Sequence, residues 1–221
     1  MNLRYGTSDA TDGSMKSADR NHATVLPARE AFLRKNDMEA GNTTLVQVVY
    51  GGEDFCRYAT LVDPDKGDGI TRPATIAADA LIVTEPGHAL FLPLADCIGA
   101  LIHDPRKNIL MLSHLGRHSL EQTGGTKCIE YLIEQHGVDP TNLTVWLSPA
   151  AGGSNYPLHV FENRSMHDVA AEQLMAAGVP RENITISPID TTQDTRYFSH
   201  SEFLKGNRDQ DGRFAVVAMM N

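Results

Sequence analysis

Between residues 78 and 114 the chain carries four short apolar runs almost end to end: ADALIVT, HALFLPLADC, IGALIH and ILMLSH. Runs of this length, separated by turn residues such as DPRKN, read as the buried strands of one sheet. To either side, TLVQVVY at 44–50 and FCRYATLV at 55–62 are rich in β-branched residues and read as a strand pair, with a hairpin about Gly51 and Gly52. LTVWLSPA, NITISPI and FAVVAMM supply three more strands. Helical spacing appears after Pro27 in AREAFLRKNDM, which ends near Gly41, in SLEQTGGTKCIEYLIEQHG at 119–137, and in RSMHDVAAEQLMAAG at 164–178, which stops at Gly178. The segment DPDKGDG at 63–69 reads as a turn, because Ala74 stands where a calcium loop would need its closing Glu.

These patterns predict an α+β fold: one domain over 25–221 with a mixed, partly antiparallel sheet flanked by helices. The residues before it, 1–24, are polar, and 6–24 hold little that is apolar, so they read as a surface loop.

Composition narrows the function. With 19 basic and 28 acidic residues the formal net charge is −9, which argues against nucleic acid or an anionic membrane as partner. No apolar run approaches the roughly 18–20 residues needed to span a bilayer, and the start MNLRYGTSDATDGS lacks a signal peptide's basic and apolar regions, so the expected location is the cytoplasm. Three scattered cysteines, Cys56, Cys97 and Cys128, read as reduced thiols.

The chemistry concentrates at the ends of two apolar runs. Asp96 and Cys97 close one, and His114 closes another, joined to it by the turn near 104–107. A hairpin that pairs His103 with Asn108 sets Cys97 opposite His114 on one face, roughly 5 Å away. Such a pair either activates a thiol nucleophile or ligates a metal such as zinc; the structural alternative is a buried Cys beside a satisfied core His. Asp96 needs a partner, because a carboxylate at the edge of a core strand is costly alone. His118, four residues after His114, reaches the same site if the chain turns there. His103 is too far along the strand, and His22, His88, His136, His159, His167 and His200 show no local pattern and read as surface residues.

Taken in order, AADALIVTEPG, LADC, SHLGRHS, WLSPAAG, YFSH and DGRFA resemble the laccase-domain (YfiH-like) family, also called polyphenol oxidase or purine nucleoside phosphorylase. The resemblance runs from about Ala28 to the C-terminus. It implies a YfiH-like fold and a metal site, usually zinc, in which Cys97 and His114 match two ligands and Tyr50 stands where the family has a histidine. His118 is the candidate replacement donor. Asp96 would orient groups or exchange protons.

The same resemblance implies a cytosolic enzyme acting on a purine nucleoside and phosphate, by phosphorolysis of adenosine, inosine or methylthioadenosine, with adenosine deamination as a second activity. Arg117, Ser148, Tyr156, Ser199 and Arg213 are the implied substrate-binding residues. The family's other labels imply copper-dependent polyphenol oxidation or amide hydrolysis in peptidoglycan precursors. The chain departs from the pattern at Arg117 and His118, where the family has Trp and Arg, and at Ser201 and Glu202, which replace two arginines. These losses favour a competing reading, a non-catalytic protein that binds a ligand or regulates.

Overall fold

The computed structural model describes residues 2–16 and 22–221, without the side chain of His22; residues 17–21 of the polar N-terminal segment lie outside it. In chain order the elements are β1 (Leu3–Thr7), α1 (His22–Lys35), β2 (Thr43–Leu45), β3 (Tyr58–Thr60), β4 (Ala80–Val83) and β5 (Ala89–Leu94). There follow β6 (Ile98–Asp104), β7 (Ile109–Leu115), α2 (Arg117–Glu121), α3 (Gly124–His136), β8 (Thr144–Leu147) and α4 (Met166–Ala176). The chain closes with β9 (Ile184–Ile186), α5 (His200–Leu204) and β10 (Phe214–Met220).

Two sheets form, where the apolar runs alone suggested one. A six-stranded sheet has the order β3-β4-β7-β6-β8-β9, and a four-stranded sheet the order β1-β10-β5-β2. The run HALFLPL therefore leaves its sequence neighbours: β5 pairs antiparallel with β10 and parallel with β2. Strand alternation shows why both sheets are stable. Leu90, Leu92 and Leu94 of β5 join Leu81, Leu101, Leu110 and Leu112 in a core between the sheets. The opposite face of β5, with Ala89 and Phe91, packs on Phe32 and Leu33 of α1. On the far side, Ile82, Ala100, Ile102 and Met111 meet Cys128, Ile129 and Leu132 of α3 and Met166, Val169 and Leu174 of α4. The result is helix, sheet, sheet, helix in four layers, with β5 and β6 covered on both faces.

Other expectations change in the same way. The loop expected over 6–24 begins as strand: β1 runs Leu3 to Thr7 and pairs with β10 from Leu3↔Met220 to Thr7↔Val216, a partner too distant in sequence for any local pattern to show. The Gly51/Gly52 hairpin is absent, because β2 lies parallel to β5 and β3 parallel to β4, in different sheets. The first helix starts at His22 and carries Pro27 inside it. The helix expected over 119–137 is two, broken at Gln122 and Thr123, where Thr123 adopts φ 59°. In the 63–69 turn, the Asp68 carboxylate accepts hydrogen bonds from the Thr75 N–H and hydroxyl and from the Ile76 N–H, so it staples its own loop.

Candidate functional site

The β6–β7 hairpin pairs Gly99 with His114 and His103 with Leu110, two residues out of the register expected from its turn. A slip of two preserves side-chain parity, so Cys97 and His114 still share a face. Opposite Cys97 falls Gly116, the cap of α2. A β-carbon there would stand 2.8 Å from Cys97 Sγ, 2.9 Å from His114 Cε1 and 3.2 Å from His114 Nε2. Thiol and imidazole thus approach one point from two sides, within about 6 Å of each other, and only glycine leaves room between them. Ser119 fixes this corner: its Oγ accepts from the Gly116 N–H and lies within hydrogen-bonding reach of the His114 and Gly116 carbonyls.

Asp96 delivers Cys97 to this place. Its backbone is left-handed at φ 76°, a conformation that Asp tolerates better than most residues, and it swings the chain from one sheet to the other. The residue is 4% exposed. Its carboxylate accepts from Thr191 Oγ1 at 3.0 Å and the Ser201 N–H at 2.7 Å, while its carbonyl accepts from the Ala151 N–H at 2.8 Å. Three remote loops are tied to one residue, so the structure gives Asp96 a positioning role in place of the expected proton exchange.

Electrostatics set which groups hold protons. Burial lowers the His114 imidazole to a pKa of about 4, against the pull of Asp79 and with a further push from His118, so it is neutral at pH 7. Burial first, and Asp96 second, push the Cys97 thiol up to about 12, opposed by Arg213 and Arg117. Tyr50 supplies the third group: its hydroxyl lies 3.4 Å from His114 Nε2, and its ring meets the imidazole edge-on at 6.1 Å between centroids. The residue as a whole is 63% exposed, but its hydroxyl end is turned inward. Loss of water there, with Cys97 nearby, raises the phenol above its ordinary value.

Of the expected substrate residues, Arg117 and Tyr156 line one cavity of about 370 Å³ with Glu121, Asn155 and His159. Arg213 bears on both Cys97 and Tyr50, and its Nη1 is held by the Asp211 carboxylate and the Gly212 carbonyl. Ser148 and Ser199 do not join them. Ser148 is fully buried, accepting from the Gly99 N–H and donating to the Pro149 carbonyl, so it couples β8 to β6. Ser199 is the N-cap of α5, accepting from the Glu202 N–H. His118 stacks on Phe55, with ring centroids 4.8 Å apart, and its Nδ1 lies 3.8 Å from Glu121. His88, expected at the surface, is buried against the Thr44 hydroxyl at 2.8 Å.

Sequence reasoning overlooked Asp79, whose carboxylate takes a bidentate pair from Arg57 and whose carbonyl accepts the His114 N–H. The signal was present, for Asp79 is a second carboxylate at the edge of an apolar run, like Asp96.

The donor set fits zinc only in part. A thiol and a neutral imidazole suit the ion, but the third position holds a phenol that keeps its proton, and His118 is engaged with Phe55. Among the described residues, no group of three or more His, Cys, Asp or Glu is arranged to hold a metal ion.

Comparison with known proteins agrees with this geometry. A family model described as multi-copper polyphenol oxidoreductase laccase matches residues 5–162 and 162–221. A purine nucleoside phosphorylase of Corynebacterium glutamicum is 31% identical over 110 residues, covering 50% of this chain and 43% of that protein, so the match spans less than half of that relative. One from Mycobacterium bovis is 26% identical over 181 residues, covering 72% of this chain and 70% of its own length. Among solved structures, Bacillus licheniformis YfiH has a TM-score of 0.85 at 18% identity, covering 99% of this chain and 93% of its own. YlmD from Geobacillus stearothermophilus has a TM-score of 0.83 at 19% identity, covering 99% and 90%. These likenesses show an α+β, YfiH-like fold.

Proposed function

We propose that this chain, which belongs to the multi-copper polyphenol oxidoreductase laccase family, works as a purine nucleoside phosphorylase at Cys97, His114 and Tyr50. The observation that carries this is the convergence of those three side chains beside Arg213 and Arg117, in a chain whose relatives bear that name. In phosphorolysis a phosphate oxygen bonds to the sugar C1′ as the C1′–N bond to the purine breaks. The departing purine takes a proton, and hydrogen phosphate loses one as it becomes the ester, so the balance closes without an outside acid.

Each group has a suitable state at neutral pH. The Tyr50 phenol and Cys97 thiol keep their protons and act as donors toward the leaving purine. The neutral His114 imidazole accepts a proton and passes it on. Arg117 and Arg213 supply the positive charge that a phosphate requires. With a protonated phenol as third donor, no step is routed through a metal. No helix among the described residues is long and apolar enough to cross a membrane, and the three cysteines are free thiols, in keeping with a reducing compartment such as the cytoplasm.

A second reading, a nucleoside-binding protein without turnover, is favoured by one observation: Asp211 already neutralises Arg213, and Glu202 is paired with Lys205. The test incubates purified protein with adenosine, inosine or methylthioadenosine, with and without phosphate, and separates free purine and sugar phosphate by chromatography. Phosphate-dependent release that disappears in Cys97→Ser, with the fold retained, is expected. Calorimetric binding of nucleoside without release establishes the second reading, and release that survives Cys97→Ser overturns the mechanism. Conversion of adenosine to inosine without phosphate reports deamination.

A further inference from the structure

We propose that residues 50–55 form a strap closed over His114, and that it must lift before a ligand can reach the imidazole. Tyr50 is the layer between His114 and water: His114 is 6% exposed, the phenol hydroxyl lies 3.4 Å from its Nε2, and the outer side of Tyr50 faces solvent. The strap belongs to no strand or helix, since β2 ends at Leu45 and β3 begins at Tyr58. Its backbone therefore lacks the ladder that would make opening costly.

Its two ends are latched, and its middle is free. At one end Arg57, itself clamped on Asp79, donates from Nη2 to the Val49 carbonyl at 3.0 Å. At the other end Gln122 grips the chain twice: its Oε1 accepts from the Phe55 N–H at 2.9 Å, and its Nε2 donates to the Glu53 carbonyl at 2.5 Å. The Phe55 ring adds its stack on His118. Between these anchors, β-carbons placed on Gly51 and Gly52 would meet nothing within 4 Å, so nothing packs on the hinge. Gln122 and His118 both come from the break and short helix that follow His114 in sequence. The latch is thus built from the same corner as the site it covers.

This deepens the phosphorylase reading by giving the site a gate, but its test measures access and stands apart from turnover. The full chain is treated with diethyl pyrocarbonate, which modifies neutral imidazoles, and each histidine is followed by peptide mass spectrometry. In the unmodified protein His114 should react far more slowly than the exposed His159. Gln122→Ala and His118→Ala should each raise the His114 rate about tenfold, while buried His88 stays protected and so reports an intact fold. The double variant Gly51→Ala, Gly52→Ala, which stiffens the strap without a clash, should lower the rate about twofold. Equal His114 rates in the unmodified chain and in both latch variants would overturn the strap, as would a His114 in the unmodified protein that reacts as fast as His159. If Gln122→Ala exposes His88 by unfolding, His118→Ala and the glycine variant decide the matter.

Discussion

Removing the Asp96 carboxylate should unfasten three loops at once, and the cost follows from its contacts. Asp96→Ala strips the acceptor from the Thr191 hydroxyl and the Ser201 N–H. Hydrogen bonds to a charged group contribute about 1.5–3 kcal/mol each, so the two together contribute about 3–5 kcal/mol. Alanine must also hold a φ of 76°, where a β-carbon costs about 1–2 kcal/mol more than glycine. The summed loss of about 4–6 kcal/mol corresponds to a fall in melting temperature of roughly 10–20 °C for a domain of this size. Asp96→Gly removes the carboxylate but relieves the backbone, and should recover about 1 kcal/mol over Asp96→Ala. Asp96→Asn keeps the turn conformation and one acceptor, and should lose about half as much. Urea and thermal unfolding followed by circular dichroism, on the three variants side by side, measure these differences. An Asp96→Ala protein within about 1 kcal/mol of the parent would refute the tether, and a stable but inactive one would return Asp96 to the chemistry.

The remaining predictions concern pH and metal. Burial, first, holds the His88 imidazole at a pKa of about 4, so the folded protein keeps it neutral while the unfolded chain takes up its proton near the usual 6.5. His88 therefore stabilises the fold fully above about pH 6.5, and this contribution is lost as pH falls to 4, by about 2–3 kcal/mol. His88→Leu should flatten that part of the stability curve, as read from urea midpoints at several pH values; an unchanged acid limb would refute it. Tyr50→His replaces the protonated phenol by an imidazole and should raise zinc affinity at least tenfold in competition with a chromophoric chelator, an effect that Cys97→Ser in the same background abolishes. No gain would show that position 50 does not address the Cys97 and His114 pair.

Much of the site was legible because strand parity is a local property. Cys97 and His114 end two adjacent runs, and a two-residue error in register left them on the same face. The identities of Ser148 and Ser199 did not disclose their roles. A buried serine that braces a strand and one that caps a helix look the same in sequence as one that meets a substrate, and only their partners, Gly99 and Glu202, tell them apart. His88 illustrates the same gap, since no local spacing marks a histidine that is buried against Thr44.

By itself the sequence determined the short buried strands of the centre, the helices that end at Gly137 and Gly178, and the meeting of a thiol with an imidazole. Those follow from periodicity and from glycine's freedom at φ 62° and φ 97°, which act over a few residues. The tertiary structure alone decided that β5 crosses to a second sheet and that Leu3–Thr7 pairs with the C-terminal strand. It also decided that Tyr50 covers His114 from the far side of the loop. An apolar strand buried on both faces fits either sheet equally well, so its place is chosen by the surfaces available to cover it, and those come together only when the whole chain has folded.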